Sequence, residues 1–339
     1  MPLNHILILG AGPAGLSAAI ALAQLSPPPS ATRLRITVLE LRSQITTLGG
    51  SVNLTPLAMR YLDHLGAGSR VRARGIRVSA IELLSLRTGT LLGRLWPDVD
   101  ALRVRRIDLV TSLMETAKTP EIAEHVTMRF DVRVAGIHEL EDPATRESRV
   151  ILTLESGETI EGDLLIGSDG LHSVARTLYV EPEREESYSG KAVAYGYVRV
   201  AEPGDAGYRR SDGESAVVDT TLITGQYGSF LTSFCDPARE ELHVAAVMQM
   251  ACEHGDSKDG WKARGDDKAR VKQDIVTRFQ GGNVQGLAGL IGRVEDWSMF
   301  PVYQLPPRGR WHRGRVIVIG DAAHAVSIVP FLSFRAHAN

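Results

Sequence analysis

The chain has 339 residues, which at about 150 residues per domain predicts two domains with a core large enough to need no disulfide support. Its 38 Lys and Arg against 40 Asp and Glu leave a formal charge of −2, so no overall basic field is present to hold nucleic acid or an anionic membrane, and a small molecule is the expected partner. The 43% hydrophobic content excludes a disordered chain, and two cysteines, Cys235 and Cys252, lack metal-site spacing and are too few for a disulfide framework, so a cytoplasmic protein without a metal is expected.

Residues 6–25 carry no charge and are long enough for a membrane span. Gly10, Gly12, Pro13 and Gly15 interrupt them, however, and no Lys or Arg precedes them, so the prediction is a buried strand, His5–Leu9, followed by a helix over 14–25 and no membrane span. Ser26-Pro27-Pro28-Pro29-Ser30 reads as a loop, and residues 34–40 as a second strand that completes a βαβ unit. A helix over 55–65 starts behind Pro56 and stops at Gly66.

Residues 76–95 alternate as strands about a Thr88-Gly89 turn, and 107–117 return to helical spacing. Strands follow at 126–130, 150–154 and 164–167. Between 180 and 300 the chain reads as strand-rich, clearest at 192–200, 217–234 and 242–250, with linkers over 181–189 and 255–268. A last apolar strand spans 315–319. The expected fold is α/β, with a mainly parallel Rossmann-like sheet and a smaller, mainly β domain. Residues 1–75, 101–180 and 301–339 would form the first domain, and 76–100 with 181–300 the second.

Gly10-Ala11-Gly12-Pro13-Ala14-Gly15 is a G-x-G-x-x-G run placed directly after a strand and opening a helix. Gly10 permits the tight turn, Gly12 lets the backbone approach a pyrophosphate, and Gly15 allows close helix-to-strand packing, while the helix N-terminus offers free N–H groups. Glu40 ends the second strand, where a carboxylate accepts hydrogen bonds from an adenosine ribose and repels a 2′-phosphate, which favours NAD or FAD over NADP in this pocket. Asp169-Gly170 and Gly320-Asp321 each follow a buried strand, at the strand ends where open α/β sheets bind ligands.

Asp169, Gly170, Ser173 and Arg176 in D-G-x-x-S-x-x-R, and Gly320-Asp321-Ala322-Ala323-His324, come in this order after the glycine run. The set resembles the FAD-dependent aromatic hydroxylases similar to p-hydroxybenzoate and salicylate hydroxylases. The resemblance implies that Asp321 binds the ribityl chain of FAD, and that Asp169-Gly170 serve both FAD and an incoming NADH or NADPH. It implies that Arg106, in R-x-D-L, reaches the FAD, and that Gly50 or Ser51 in the glycine-rich loop before a helix lies beside the flavin. Arg42 stands one residue from the place of an arginine that often follows the ribose carboxylate.

The implied activity is hydroxylation of a small, aromatic-type molecule with NAD(P)H and dioxygen, the protein placing the substrate and excluding water. No residue is assigned as catalytic base. His172, His324, Tyr195, Tyr197 and Tyr227 are expected to be satisfied within the structure. Trp96, Trp261, Trp297 and Trp311 are too scattered for the W-x-W-x-I-P motif of a flavin halogenase. The arginine clusters over 70–77 and 103–106 read as solvated faces. After Ser327 the sequence departs from the family, with no glycine beyond Gly320. The alternatives are therefore a truncated, catalytically impaired FAD-binding protein or another flavin oxidoreductase, and NAD-dependent dehydrogenation ranks behind them.

Overall fold

The computed structural model describes residues 3–26, 33–46, 49–78, 80–95, 100–141, 148–200, 211–213, 220–251 and 258–326. The proline loop after Ser26, Trp96, Cys252 and the segment from Ser327 onward lie outside the described residues.

The apolar run His5–Leu9 is buried on both sides because neighbouring residues serve different cores. Ile6 and Ile8 face the helices Pro13–Gln24 and Arg106–Ala117, packing with Leu16, Ile20, Val38 and Leu113. Leu7 and Leu9 face the opposite way, onto Val150, Leu152, Leu165 and Val316. The strand sits inside a six-stranded sheet ordered His312–Arg313, Val316–Val318, Leu164–Gly167, His5–Leu9, Arg35–Leu39, Val126–Arg129. Every pairing in it is parallel except the 312–313 edge. An antiparallel trio, Val134–Glu141, Ser148–Leu154 and Thr159–Gly162, covers the face away from the helices.

A second unit is a mixed seven-stranded sheet ordered Ser298–Gln304, Ser187–Arg199, Glu241–Gln249, Gly228–Phe234, Thr220–Gly225, Ile81–Ser85, Leu91–Leu95. Its single parallel junction joins 220–225 to 81–85. The expected run over 217–234 is two strands, because the chain reverses between Gly225 and Gly228. Ile76–Val78 stays with Ser51–Leu54 and Ala101–Arg105 in a separate three-stranded sheet, so the chain crosses between sheets between Val78 and Ile81.

Three helices within the region read as strand-rich correct the sequence reading: Lys258–Asp266, Lys268–Phe279 and Leu287–Arg293. Val271, Ile275 and Phe279 recur every fourth residue and bury one helical stripe against Phe230 and Trp297. The side chain of Asp267 caps that helix by accepting from the Arg270 amide at 3.0 Å. Most of the polar stretch expected to be a linker at 255–268 is thus helical, with Trp261 buried on it. In the other expected linker, Arg184 is buried and Ser187 already begins a strand. These helices cover one face of the seven-stranded sheet. The other face, bearing Tyr195, Tyr197 and His243, meets the three-stranded sheet. The Arg103 to Arg106 cluster is correspondingly not a solvated face: Arg103 is 2% exposed and its Nε donates to Asn53 at 2.9 Å. Among the described residues no helix is long and apolar enough to cross a membrane.

Candidate flavin and substrate site

At the end of His5–Leu9 the three glycines have distinct roles. Gly10 turns at φ +95°, and a Cβ there would lie 2.6 Å from the Ser168 carbonyl oxygen. A Cβ on Gly15 would collide with the Gly10 carbonyl, whereas one on Gly12 would meet nothing within 4 Å. Gly12 therefore faces open space at the N-terminus of Pro13–Gln24, where amides lack helical partners. Glu40 locks this turn from the neighbouring strand. Its Oε2 accepts from the Ala11 amide at 2.8 Å and its Oε1 from the Arg42 amide at 3.0 Å. The Arg42 guanidinium is turned away, donating to Thr46.

Ser168, which the sequence reading passed over, donates its hydroxyl to the Leu9 carbonyl at 2.6 Å and so ties the second motif to the first. Asp169 follows it. Both its carboxylate oxygens are engaged by the next turn, accepting from the Ser173 hydroxyl at 2.6 Å and from the Val174 and Ala175 amides at 2.7 and 3.2 Å. Burial pushes its pKa up against the pull of these donors. Gly170 turns at φ +82°. Asp169 thus shapes the loop, and Gly170 gives that loop its turn.

The third motif docks beside them: the Ile319 amide donates to the Gly167 carbonyl at 2.8 Å, and a Cβ on Gly320 would lie 3.0 Å from that of Ala14. Asp321 is exposed in the first turn of Asp321–His324. Two buried arginines brace this turn. Arg176 donates to the Ala322 carbonyl at 3.0 Å, and Arg184 to the Ala323 carbonyl at 2.9 Å and to the Pro306 carbonyl. Gly10, Gly12, Glu40, Asp169, Gly170, Gly320 and Asp321 therefore line one mouth, with Gly15 packed behind Gly10, at the C-terminal ends of four parallel strands.

Gly50, Ser51 and Arg106 form a second cluster, where the three-stranded sheet meets the seven-stranded one. The Arg106 amide donates to the Gly50 carbonyl at 3.0 Å, and the Gly49 amide to the Tyr195 hydroxyl at 3.0 Å. Gly49 turns at φ +107° with the Arg106 side chain against it. No room exists for a side chain at Gly50, because a Cβ there would run into the ring of His243. The Ser51 side chain hydrogen-bonds Cys235, whose thiol burial pushes up.

His243 is 5% exposed, with ring centroids of Tyr197 and Tyr195 at 5.3 and 6.0 Å. Burial, helped by the positive charge of Arg103, pushes its pKa down to about 4. A cleft of about 890 Å³ opens beside the two tyrosines, lined also by Arg199, Glu241 and Asp296. His243 left one signal in the sequence, a lone polar residue inside the apolar run of Glu241–Gln249. The other named rings lie elsewhere: His172 pairs with Glu186 at 2.7 Å, His324 stacks on Trp311, and Tyr227 is exposed. Among the described residues no group of His, Cys, Asp and Glu is placed to hold a metal.

The sequence profile of the FAD binding domain family matches residues 4–330. The chain is 27% identical to the FAD-dependent monooxygenase ntnJ of a Nectria species, over 97% of this chain and 71% of that protein. It is 26% identical to the 3-hydroxybenzoate 6-hydroxylase of Polaromonas naphthalenivorans, over 94% of this chain and 72% of that protein. Among solved structures, Klebsiella pneumoniae HpxO complexed with FAD and uric acid superposes with a TM-score of 0.73 at 20% identity, covering 96% of this chain and 74% of that one.

Proposed function

The chain belongs to the FAD binding domain family and is a flavin-dependent monooxygenase-type enzyme; from that premise we propose that it uses NADH or NADPH and dioxygen to hydroxylate a small, aromatic-type molecule. The observation that carries the reading is the convergence of three motifs on one mouth, with open space over Gly12. The residues fit FAD there. In this reading the free amides at Gly12 hold the pyrophosphate. Glu40 keeps lone pairs for the adenosine ribose beyond the two that its backbone donors occupy. Asp321, exposed at the mouth, accepts from the ribityl hydroxyls. Arg106 and the Gly49–Ser51 loop lie toward the ring end, held in place by Tyr195.

Bound FAD supplies the passage of electrons from nicotinamide to dioxygen and the transfer of one oxygen atom. The protein's own work is positional: the seven-stranded sheet forms the roof of the substrate site, and the cleft beside Tyr195 and Tyr197 gives entry. A cytoplasmic setting and the domain limits 1–75, 101–180 and 301–339 against 76–100 and 181–300 belong to the same reading. The test is the visible spectrum of the purified chain with FAD, before and after NADH or NADPH under air, followed by a screen of ring compounds for a product 16 mass units heavier, about one added oxygen atom. Flavin bands that bleach on nicotinamide addition, with an oxygenated product, are expected. A folded chain that takes up no flavin would overturn the proposal.

A further inference from the structure

Two neighbouring strands carry the chain between the flavin motifs and the seven-stranded sheet. Residues 181–186 lead into Ser187–Arg199, Ser298–Gln304 leads back out through Leu305 and Pro306, and Ser187 is the cross-strand partner of Gln304. Both passages are anchored on the turn of the third motif. The Leu305 amide donates to the Ala325 carbonyl at 2.9 Å, and Arg184 joins the passages by donating to the Ala323 and Pro306 carbonyls.

Glu186, the last residue before the sheet, adds a contact of another kind. Its Oε1 lies 2.7 Å from His172 Nδ1, and its Oε2 accepts from Arg176 Nη2 at 3.3 Å. Arg176 is 0% exposed; its other guanidinium bonds go to the Leu171 carbonyl at 2.7 Å and the Ala322 carbonyl at 3.0 Å, and its Nε has no partner among the described residues. Each bond of this guanidinium therefore ends in the second motif, in the third motif or at the root of the sheet. Burial disfavours its charge, and the attraction of Glu186, then of Asp169, works against that penalty. One buried cation thus has carboxylates in two parts of the molecule, Glu186 at the root of the sheet and Asp169 in the flavin loop. A buried charge that loses its partner is strongly destabilised, so displacing the sheet's root disturbs Arg176 and, through it, the Ala322 carbonyl next to Asp321. The same linkage runs from the turn back to the sheet.

We propose that Glu186 is a positioning residue that couples flavin capture at the three motifs to the placement of the seven-stranded sheet over the flavin. The proposal rests on the flavin monooxygenase reading for its purpose, but its first readout needs no flavin. The test is amide hydrogen exchange on the full chain and on its Glu186→Gln and Glu183→Gln variants, with and without FAD, with the FAD dissociation constant measured on the same samples. Glu183 is the control, a carboxylate of the same segment that is exposed and lies 3.9 Å from Arg310.

Without FAD, Glu186→Gln is expected to exchange at least tenfold faster than wild type both over 187–199 and over 320–325, with Glu183→Gln unchanged. FAD should slow exchange over 187–199 at least threefold in the wild type and not in Glu186→Gln, which should bind FAD at least fivefold more weakly. A Glu186→Gln variant whose 320–325 turn exchanges as in the wild type would show a local anchor and overturn the proposal. Equal acceleration in Glu183→Gln, or a wild type that binds FAD with no change over 187–199, would overturn it too. A wild type that takes up no FAD, while Glu186→Gln alone accelerates both segments, would support the coupling and break only the reading of function.

Discussion

At the glycine mouth, Glu40, Ser168 and Asp169 are all held by the backbone or by their own turn: two amides on Glu40, a carbonyl under Ser168, two amides and a hydroxyl on Asp169. Where the seven-stranded and three-stranded sheets meet, Thr220, Ser233 and His243 are more deeply enclosed, and the hydroxyls and ring nitrogens have no hydrogen-bond partner among the described residues. The contrast separates polar groups satisfied by local chain geometry from polar groups buried by the packing of distant strands. The first kind is stable by itself; each group of the second kind costs about 1–3 kcal/mol.

The sharpest way to break this contrast is at the glycines. Gly15→Val should remove about 4 kcal/mol or more and leave little folded protein, since its side chain has nowhere to go. Gly12→Val should melt within a few degrees of wild type yet bind FAD at least about a hundredfold more weakly. Melting curves and flavin content of both variants check this, and a normal flavin load in folded Gly12→Val would remove Gly12 from the site.

His243 gives the next largest effect. Its folded pKa of about 4 lies below the ordinary value of 6.5, so the unfolded chain takes up a proton first as pH falls. Stability tied to this group is fully present above about pH 6.5 and is lost as pH drops toward 4, by about 3 kcal/mol in total. The facing groups are Arg103, Tyr195 and Tyr197. Thermal midpoints measured from pH 7 to 4 should fall less steeply in His243→Asn. Parallel profiles would assign the acid sensitivity elsewhere.

Gly50→Ala should cost about 1–3 kcal/mol through collision with the His243 ring, and His243→Ala should cancel much of that cost in a double-mutant cycle. Additive losses would mean that the two do not touch. On the helix-covered face, where no ligand is involved, Asp267→Ala should cost only about 1 kcal/mol, the loss of one cap, with no change in any binding measurement.

The same contrast explains what could be read from the residues alone. The parallel strands were legible because unbroken apolar runs such as His5–Leu9 leave few alternatives, and the glycine turn because its spacing reflects steric necessity. The helices from Lys258 to Arg293 were hidden by long polar faces, their burial resting on one stripe of Val271, Ile275 and Phe279. The bracing by Arg184 depends on a contact across 139 residues, and the seating of His243 against Gly50 on strand register, neither of which a local pattern encodes. Arg103 looked like a surface charge because its burial comes from a sheet formed by distant chain.

The mouth draws its walls from residues 10–15, 167–170 and 319–321, so it spans nearly the whole described chain. Contacts that distant in sequence form late and only after the intervening loops close. A nascent chain displaying the glycine turn still lacks the wall bearing Gly320 and Asp321, and Arg176 and Arg184 wait for the carbonyls that they will grip. Cofactor capture is therefore an event of the completed polypeptide, and the pool of newly released, empty protein is the population on which flavin supply acts.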